Sequence, residues 1–176
     1  MTKNTNIIYE VEDSLALITI NRPERKNALD SETLEMLNRA MDLAEEDNEI
    51  KAIIISGKGN TFSSGFDLKD QLKKSPKGKE WKEILDLDFN TIMRFWHSPK
   101  PTIAAIRGAC LAGAFELALA CDITIASKDA FFGEPELRFG AGIVTMFLPW
   151  VTGVKAAKEI ILLGKDNIKA EEALRL

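Results

Sequence analysis

Four short runs rich in β-branched and aliphatic residues punctuate the chain: Leu15–Ile20 (LALITI), residues 52–56 (AIIIS), Thr102–Ile106 (TIAAI) and Ile123–Ala126 (ITIA). Each is short and bounded by turn residues or charge, which is the signature of a strand. Between and after them the apolar spacing changes to that of a helix, with Leu34, Leu37, Met41 and Ala44, then Leu85, Phe89, Ile92 and Trp96, and finally Val154, Ala157 and Ile161. Asp30 or Ser31 can cap the first of these helices, with Glu32 and Glu35 well placed in its first turn. The closing EEALRL also reads as helical, and no sequence repeat is present. Strands alternating with helices predict an α/β architecture without fixing its topology.

With 176 residues, 45% hydrophobic and 28% charged, the chain is expected to form one folded domain over residues 1–176. Lys and Arg total 23 against 27 Asp and Glu, so the net charge of −4 offers no general attraction to nucleic acid or anionic lipid. The start, MTKNTNIIYEVED, lacks the apolar segment of a signal peptide, and no apolar run reaches membrane-spanning length. Cys110 and Cys121 lie in apolar surroundings without metal-site spacing, which suggests reduced, buried thiols, with a disulfide between them as the lesser alternative. These features predict a cytoplasmic protein that binds neither nucleic acid nor membrane. Lys73–Lys79 (KKSPKGK) is the most linker-like segment and reads as a solvated loop rather than an RNA site.

The chemistry concentrates in GACLAGAFELALACD, residues 108–122, where Glu116 is the one acid inside a run of small and apolar residues. A helix starting near Ala112 or Gly113 leaves its first N–H groups unpaired at the positive end of its dipole, and small side chains there let a ligand carbonyl approach. Burial should raise the Glu116 pKa and suit it to proton transfer. The alternative is that it pairs with a distant arginine or complements the helix terminus. A second acid, Glu136, follows Pro135 between Gly133 and Gly140, whereas Glu134 reads as part of an exposed acidic turn. TFSSGFDL, residues 61–68, reads as a polar, exposed loop whose Asp67 begins a helical turn. Ser63 and Ser64 lack a GxSxG elbow, the single histidine, His97, reads as structural, and neither a P-loop nor a GxGxxG is present.

Taken in order, NRPERKNALD (21–30), FSSGFDL (62–68), GACLAGAFELALACD and FGEPELRFG (132–140) resemble the enoyl-CoA hydratase/isomerase, or crotonase, superfamily over nearly the whole chain. The resemblance implies a spiral of repeated ββα units that binds an acyl-CoA thioester and acts in fatty acid metabolism. It puts the oxyanion-hole N–H groups on Phe66 and Gly113, and the two catalytic acids on Glu116 and Glu136. CoA contacts fall on Lys26, Ala28, Ser64, Phe66, Asp67 and Leu68, with Lys26 the best phosphate contact; Arg22 and Arg25 read better as solvated surface charges. No metal is implied, nor any cofactor beyond the CoA of the substrate.

Both acids being present, the implied activity is first that of an enoyl-CoA hydratase, adding water across the 2,3 double bond through an enolate. The same scaffold supports double-bond isomerisation, decarboxylation, dehalogenation and thioester hydrolysis, and a non-catalytic acyl-CoA-binding or assembly subunit is the alternative from another class. Two departures are visible: GAGIVTMFLPW replaces the family's glycine-rich GGTQRL-like segment, and Phe66 stands where alanine is common. The family's C-terminal trimerisation helices are expected to be largely absent from a chain ending at Leu176. A homotrimer, or a dimer of trimers, is expected if that region is supplied.

Overall fold

In the computed structural model, which describes residues 5–72 and 76–176, the chain opens with a hairpin that the periodicity does not reveal. β1 (Ile7–Glu12) pairs antiparallel with β2 (Leu15–Ile20), placing Glu12 opposite Leu15. The two residues between them, Asp13 and Ser14, have φ of 44° and 66°, the left-handed geometry that a two-residue hairpin turn demands. Of the linker-like run, residues 73–75 lie outside the described residues.

α1 (Ser31–Glu46) follows, with the Asp30 side chain accepting a hydrogen bond from the Thr33 N–H as its N-cap. It buries Leu34, Leu37, Met41 and Ala44, the stripe read from the sequence, together with Thr33 and Ala40. β3 (Ala52–Gly57) then runs parallel to β2, and β4 (Thr102–Ile106) parallel to β3. β6 (Ile123–Ala126) extends the sheet beyond β4, giving the order β1-β2-β3-β4-β6. The side chains of Ile18, Ile53, Ile55 and Ala104 alternate into a fully buried core beneath α1.

A second, three-stranded sheet is assembled from very short strands: β5 (Ala109–Leu111), β7 (Phe131–Gly133) and β8 (Ile168–Lys169), in the order β5-β7-β8. β4 passes directly into β5, and β6 into β7, so the chain steps twice from the first sheet to the second; α4 (Gly113–Ala120) follows β5. Two isolated parallel bridges, Ser63 to Cys110 and Leu29 to Phe66, continue the second layer through loops. At Gly108, between β4 and β5, φ is 59° and a Cβ would meet the Asn60 carbonyl oxygen at 2.0 Å, so the crossing needs glycine.

The remaining helices are α2 (Leu68–Leu72), α3 (Lys79–Trp96), α5 (Leu148–Val151), α6 (Val154–Leu163) and α7 (Ala170–Ala173). No helix among the described residues is long and apolar enough to cross a membrane. Cys110 and Cys121 are free, buried thiols, and His97 closes α3 by donating its N–H to the Met93 carbonyl.

Two expectations are corrected here. The loop at residues 61–68 is not an exposed polar loop: Phe62 and Ser63 are fully buried, because Ser63 N–H donates to Ala109 O and Leu111 N–H to Ser63 O. In α3 the inward stripe is Asp88, Thr91, Ile92 and Phe95, whereas Leu85, Phe89 and Trp96 are exposed. The buried polar members have partners: Asp88 accepts from Gln71 on one of its two oxygens, and Thr91 accepts from Asn38 Nδ2 and donates to the Leu87 carbonyl. Apolar spacing found this helix but misjudged the face it turns inward.

Candidate active site

The site begins where β5 turns into α4. Ala112, at φ 57°, donates its N–H to the Gly133 carbonyl, and its own carbonyl accepts from Phe115 and Glu116. Among the described residues, nothing in the protein accepts the N–H of Gly113. Opposite it, Leu29 N–H donates to Gly65 O and Asp67 N–H to Leu29 O, which clamps the backbone on both sides of Phe66 and leaves the Phe66 N–H without an acceptor among the described residues.

Glycine lets these two segments meet. A Cβ on Gly65 would lie 3.1 Å from the Gly113 nitrogen, and one on Gly113 would fall 2.3 Å from Cε2 of the Phe66 ring. Beside them opens a cavity of about 590 Å³ whose lining includes Ser64, Phe66, Ala112, Asp88, Glu136 and Ile143.

Three buried glutamates gather behind and beside that cavity, each offering one oxygen within 4.8 Å of the others. Glu116, 1% exposed, sits in the first turn of α4 and accepts hydrogen bonds from Val144 N–H at 3.1 Å, from Thr145 N–H, and from the Thr145 hydroxyl at 2.5 Å. Its partners are therefore neutral donors rather than an arginine. Burial raises its pKa, against the pull of those donors.

Glu136, 5% exposed, opens a 3-10 turn, Glu136–Phe139, directly after Pro135, and lines the cavity; its buried Oε2 has no partner among the described residues. Its pKa is raised mainly by burial, with nearby Glu116 adding to the effect.

Glu134 corrects the reading of an exposed turn. It is 1% exposed, and neither carboxyl oxygen accepts a hydrogen bond from the described residues. Burial first, then the charges of Glu136 and Glu116, push its pKa strongly upward, so it carries a proton beside Glu116.

These three carboxylates are the residues that could hold a metal ion. Their chemistry fits one poorly, because both Glu116 oxygens already receive donors and burial favours the protonated forms of the other two.

A fourth acid, Asp88, was missed by sequence reading. It is 2% exposed on α3 and lines the cavity, and its pKa is lifted to about 7 by burial first and by Glu116 second. Asp88, Thr91, Ile92 and Phe95 stand at i, i+3, i+4 and i+7, so helical spacing applied without regard to polarity would have placed it inward.

Of the residues expected to contact CoA, three line the cavity and three, Lys26, Ala28 and Asp67, do not. Ser64, Phe66 and Leu68 line the cavity. Lys26 is exposed at φ 53°, its carbonyl accepting the Ser64 N–H, and Ala28 is buried two residues on. Asp67 caps α2 by accepting from the N–H groups of Lys69 and Asp70.

Arg22 is not a solvated surface charge. Its side chain is 12% exposed and pairs with Asp30 at 2.7 Å and Asp67 at 3.5 Å, and its guanidinium also donates to the Ala28 carbonyl. Arg25 is exposed, as expected. Asn27, fully buried, accepts from Arg22 N–H and donates to the carbonyls of Lys58 and Thr61, which stitches this loop to the end of β3.

Residues 10–176 match the enoyl-CoA hydratase/isomerase family. The chain belongs to that family. It is 38% identical over 177 residues to the short-chain-enoyl-CoA hydratase of Clostridium acetobutylicum, covering 97% of this chain and 66% of that protein. A probable enoyl-CoA hydratase of Bacillus subtilis is 42% identical over 176 residues, with the same two coverages, 97% and 66%. Among solved structures, an enoyl-CoA hydratase/isomerase from Xanthobacter autotrophicus Py2 superposes with a TM-score of 0.96 at 61% identity, covering 98% of this chain and 65% of that one. The fold is thus that of the crotonase superfamily, and the chain spans 65–66% of the length of these relatives.

Proposed function

We propose that the chain is an acyl-CoA-processing enzyme, acting first as an enoyl-CoA hydratase. The observation that carries this reading is the pair of acceptor-free N–H groups, on Phe66 and Gly113, beside a cavity that also receives Glu136. Donors fixed in this way gain strength as charge grows on the thioester oxygen, and each can lower the barrier by on the order of 3 kcal/mol. Glu136 and Glu116 then handle the water and the α-proton: one acts as base as water adds to the β-carbon, and the other delivers the proton to the α-carbon. Lys26, Ala28, Ser64, Phe66, Asp67 and Leu68 hold the CoA moiety, with Lys26 free to meet phosphate.

The similar proteins named above as hydratases support this choice. One feature favours a second reading, double-bond isomerisation: Glu136 borders the cavity, whereas Glu116 does not line it and is held by three donors. A single acid suffices to move a proton between carbons.

Loss of the enoyl-thioester absorbance of crotonyl-CoA separates the two. Loss that requires both Glu116 and Glu136, with 3-hydroxybutyryl-CoA as product, supports hydration. Dependence on Glu136 alone, with interconversion of 3- and 2-enoyl-CoA, supports isomerisation. Neither activity in folded protein refutes both.

Assembly as a homotrimer or a dimer of trimers belongs to the same proposal. It is supported by apolar side chains left exposed on β6 (Ile123, Ile125) and at Trp150 and Leu174, and light scattering tests it. A cytoplasmic location fits the two reduced thiols.

A further inference from the structure

The cavity has a polar wall that hydration does not use. Asp88 reaches it from α3 and Gln71 from α2, and Gln71 Nε2 donates to Asp88 Oδ2 at 2.8 Å. No donor among the described residues engages the second oxygen, Oδ1. The surrounding lining is apolar, with Leu72, Trp81, Leu85 and Phe139.

An unbranched alkyl chain filling this space would strip water from Oδ1 and give it no partner, and leaving a buried polar group unpaired is costly. A hydroxyl avoids that cost. It donates to an ionised carboxylate and accepts from a protonated one, so it suits an acid that carries either form near neutrality. An anionic substituent would instead face Asp88 with Glu116 close behind.

We infer that the acyl pocket is built for a neutral acyl group bearing a hydroxyl on its distal carbons, beyond those that react, which Asp88, oriented by Gln71, engages through the free side of its carboxyl. This rests on the acyl-CoA reading of the site and deepens it by naming a substrate class.

Binding, rather than turnover, gives the test. Calorimetry compares saturated butyryl-, hexanoyl- and octanoyl-CoA with their terminally hydroxylated counterparts, on the natural protein and on Asp88→Leu and Asp88→Asn, each checked for folding by circular dichroism. At least one hydroxyacyl-CoA should bind about tenfold more tightly than its alkyl partner, the gain expected of one hydrogen bond to a desolvated acid. Asp88→Leu should abolish or reverse the preference, and Asp88→Asn, which can still accept and donate, should keep part of it.

Equal or tighter binding of every alkyl chain overturns the inference, and so does a preference that survives in Asp88→Leu. Either result leaves the hydratase reading standing. Failure of all these thioesters to bind would instead remove the acyl-CoA reading on which the inference rests.

Discussion

Replacing Glu134 by Gln should stabilise this fold at neutral and alkaline pH and flatten its pH dependence. Glu134 is 1% exposed, has no donor on either oxygen, and lies among Glu116 and Glu136, so the folded state holds it protonated. In the unfolded chain it ionises near the ordinary value of 4.5. The folded state therefore binds the extra proton, and the stability it contributes is fully present below 4.5 and declines as pH rises towards the raised folded value. While the folded form stays protonated, the decline is about 1.4 kcal/mol per pH unit, or a ceiling of about 4 kcal/mol between pH 5 and pH 8. Gln keeps the volume and carries its own N–H donors towards Glu116 without a proton to lose. Urea unfolding at pH 5, 6, 7 and 8 would then show wild type weakening by up to that amount from this group, and Glu134→Gln weakening less, so that the variant is the more stable at pH 8. Parallel curves for the two proteins would refute the placement of a protonated carboxyl at this position.

Three further outcomes are expected. Gly113→Ala puts a methyl 2.3 Å from the Phe66 ring, so both N–H groups must shift; crotonyl-CoA turnover should fall by on the order of 100-fold in protein whose circular dichroism is unchanged. Asn27→Ala leaves the Lys58 and Thr61 carbonyls and the Arg22 N–H without their partner, which should lower stability by about 2 kcal/mol in urea unfolding. Asp30→Ala removes both the α1 cap and a partner of Arg22, and should cost about 1 kcal/mol in the same assay.

The parts of this molecule that were legible in its sequence are those in which burial imposes a period. β2, β3 and β4 alternate into the core, and α1 shows one clean apolar stripe, so both appear in the residue pattern. β1 carries Glu10 and Glu12 on a largely exposed face, and β5 and β7 have only three residues each, too few to show a period at all. Their existence depends on pairing with segments far along the chain. The same non-local logic governs Glu134. Its burial follows from β7 pairing with both β5 and β8, from its N–H donating to the Lys165 carbonyl, and from the close cover at Gly133, where a Cβ would lie 2.3 Å from Asp166 Cα. Nothing in the local GEPEL stretch signals a neighbour more than thirty positions away. Arg22 was misread for a related reason: its partners Asp30 and Asp67 come from separate segments, and their pairing draws a surface residue type inward.

Glu116 was legible because its surroundings are local: small and apolar residues on its own helix already imply burial. What the helix alone could not reveal is how its charge is managed. Asp88 and Glu136 line the cavity, Glu116 and Glu134 each bring an oxygen within 4.8 Å of Glu136, and none of the four forms an ion pair among the described residues. Protons and neutral donors, rather than arginines or lysines, therefore hold the local charge down. Under the proposed reaction this has a direct consequence. An enolate oxygen forming at the Phe66 and Gly113 N–H groups would be opposed by ionised carboxylates nearby, and each acid that burial keeps protonated removes part of that opposition. The arrangement that weakens the fold as pH rises is then the one that favours the anionic transition state.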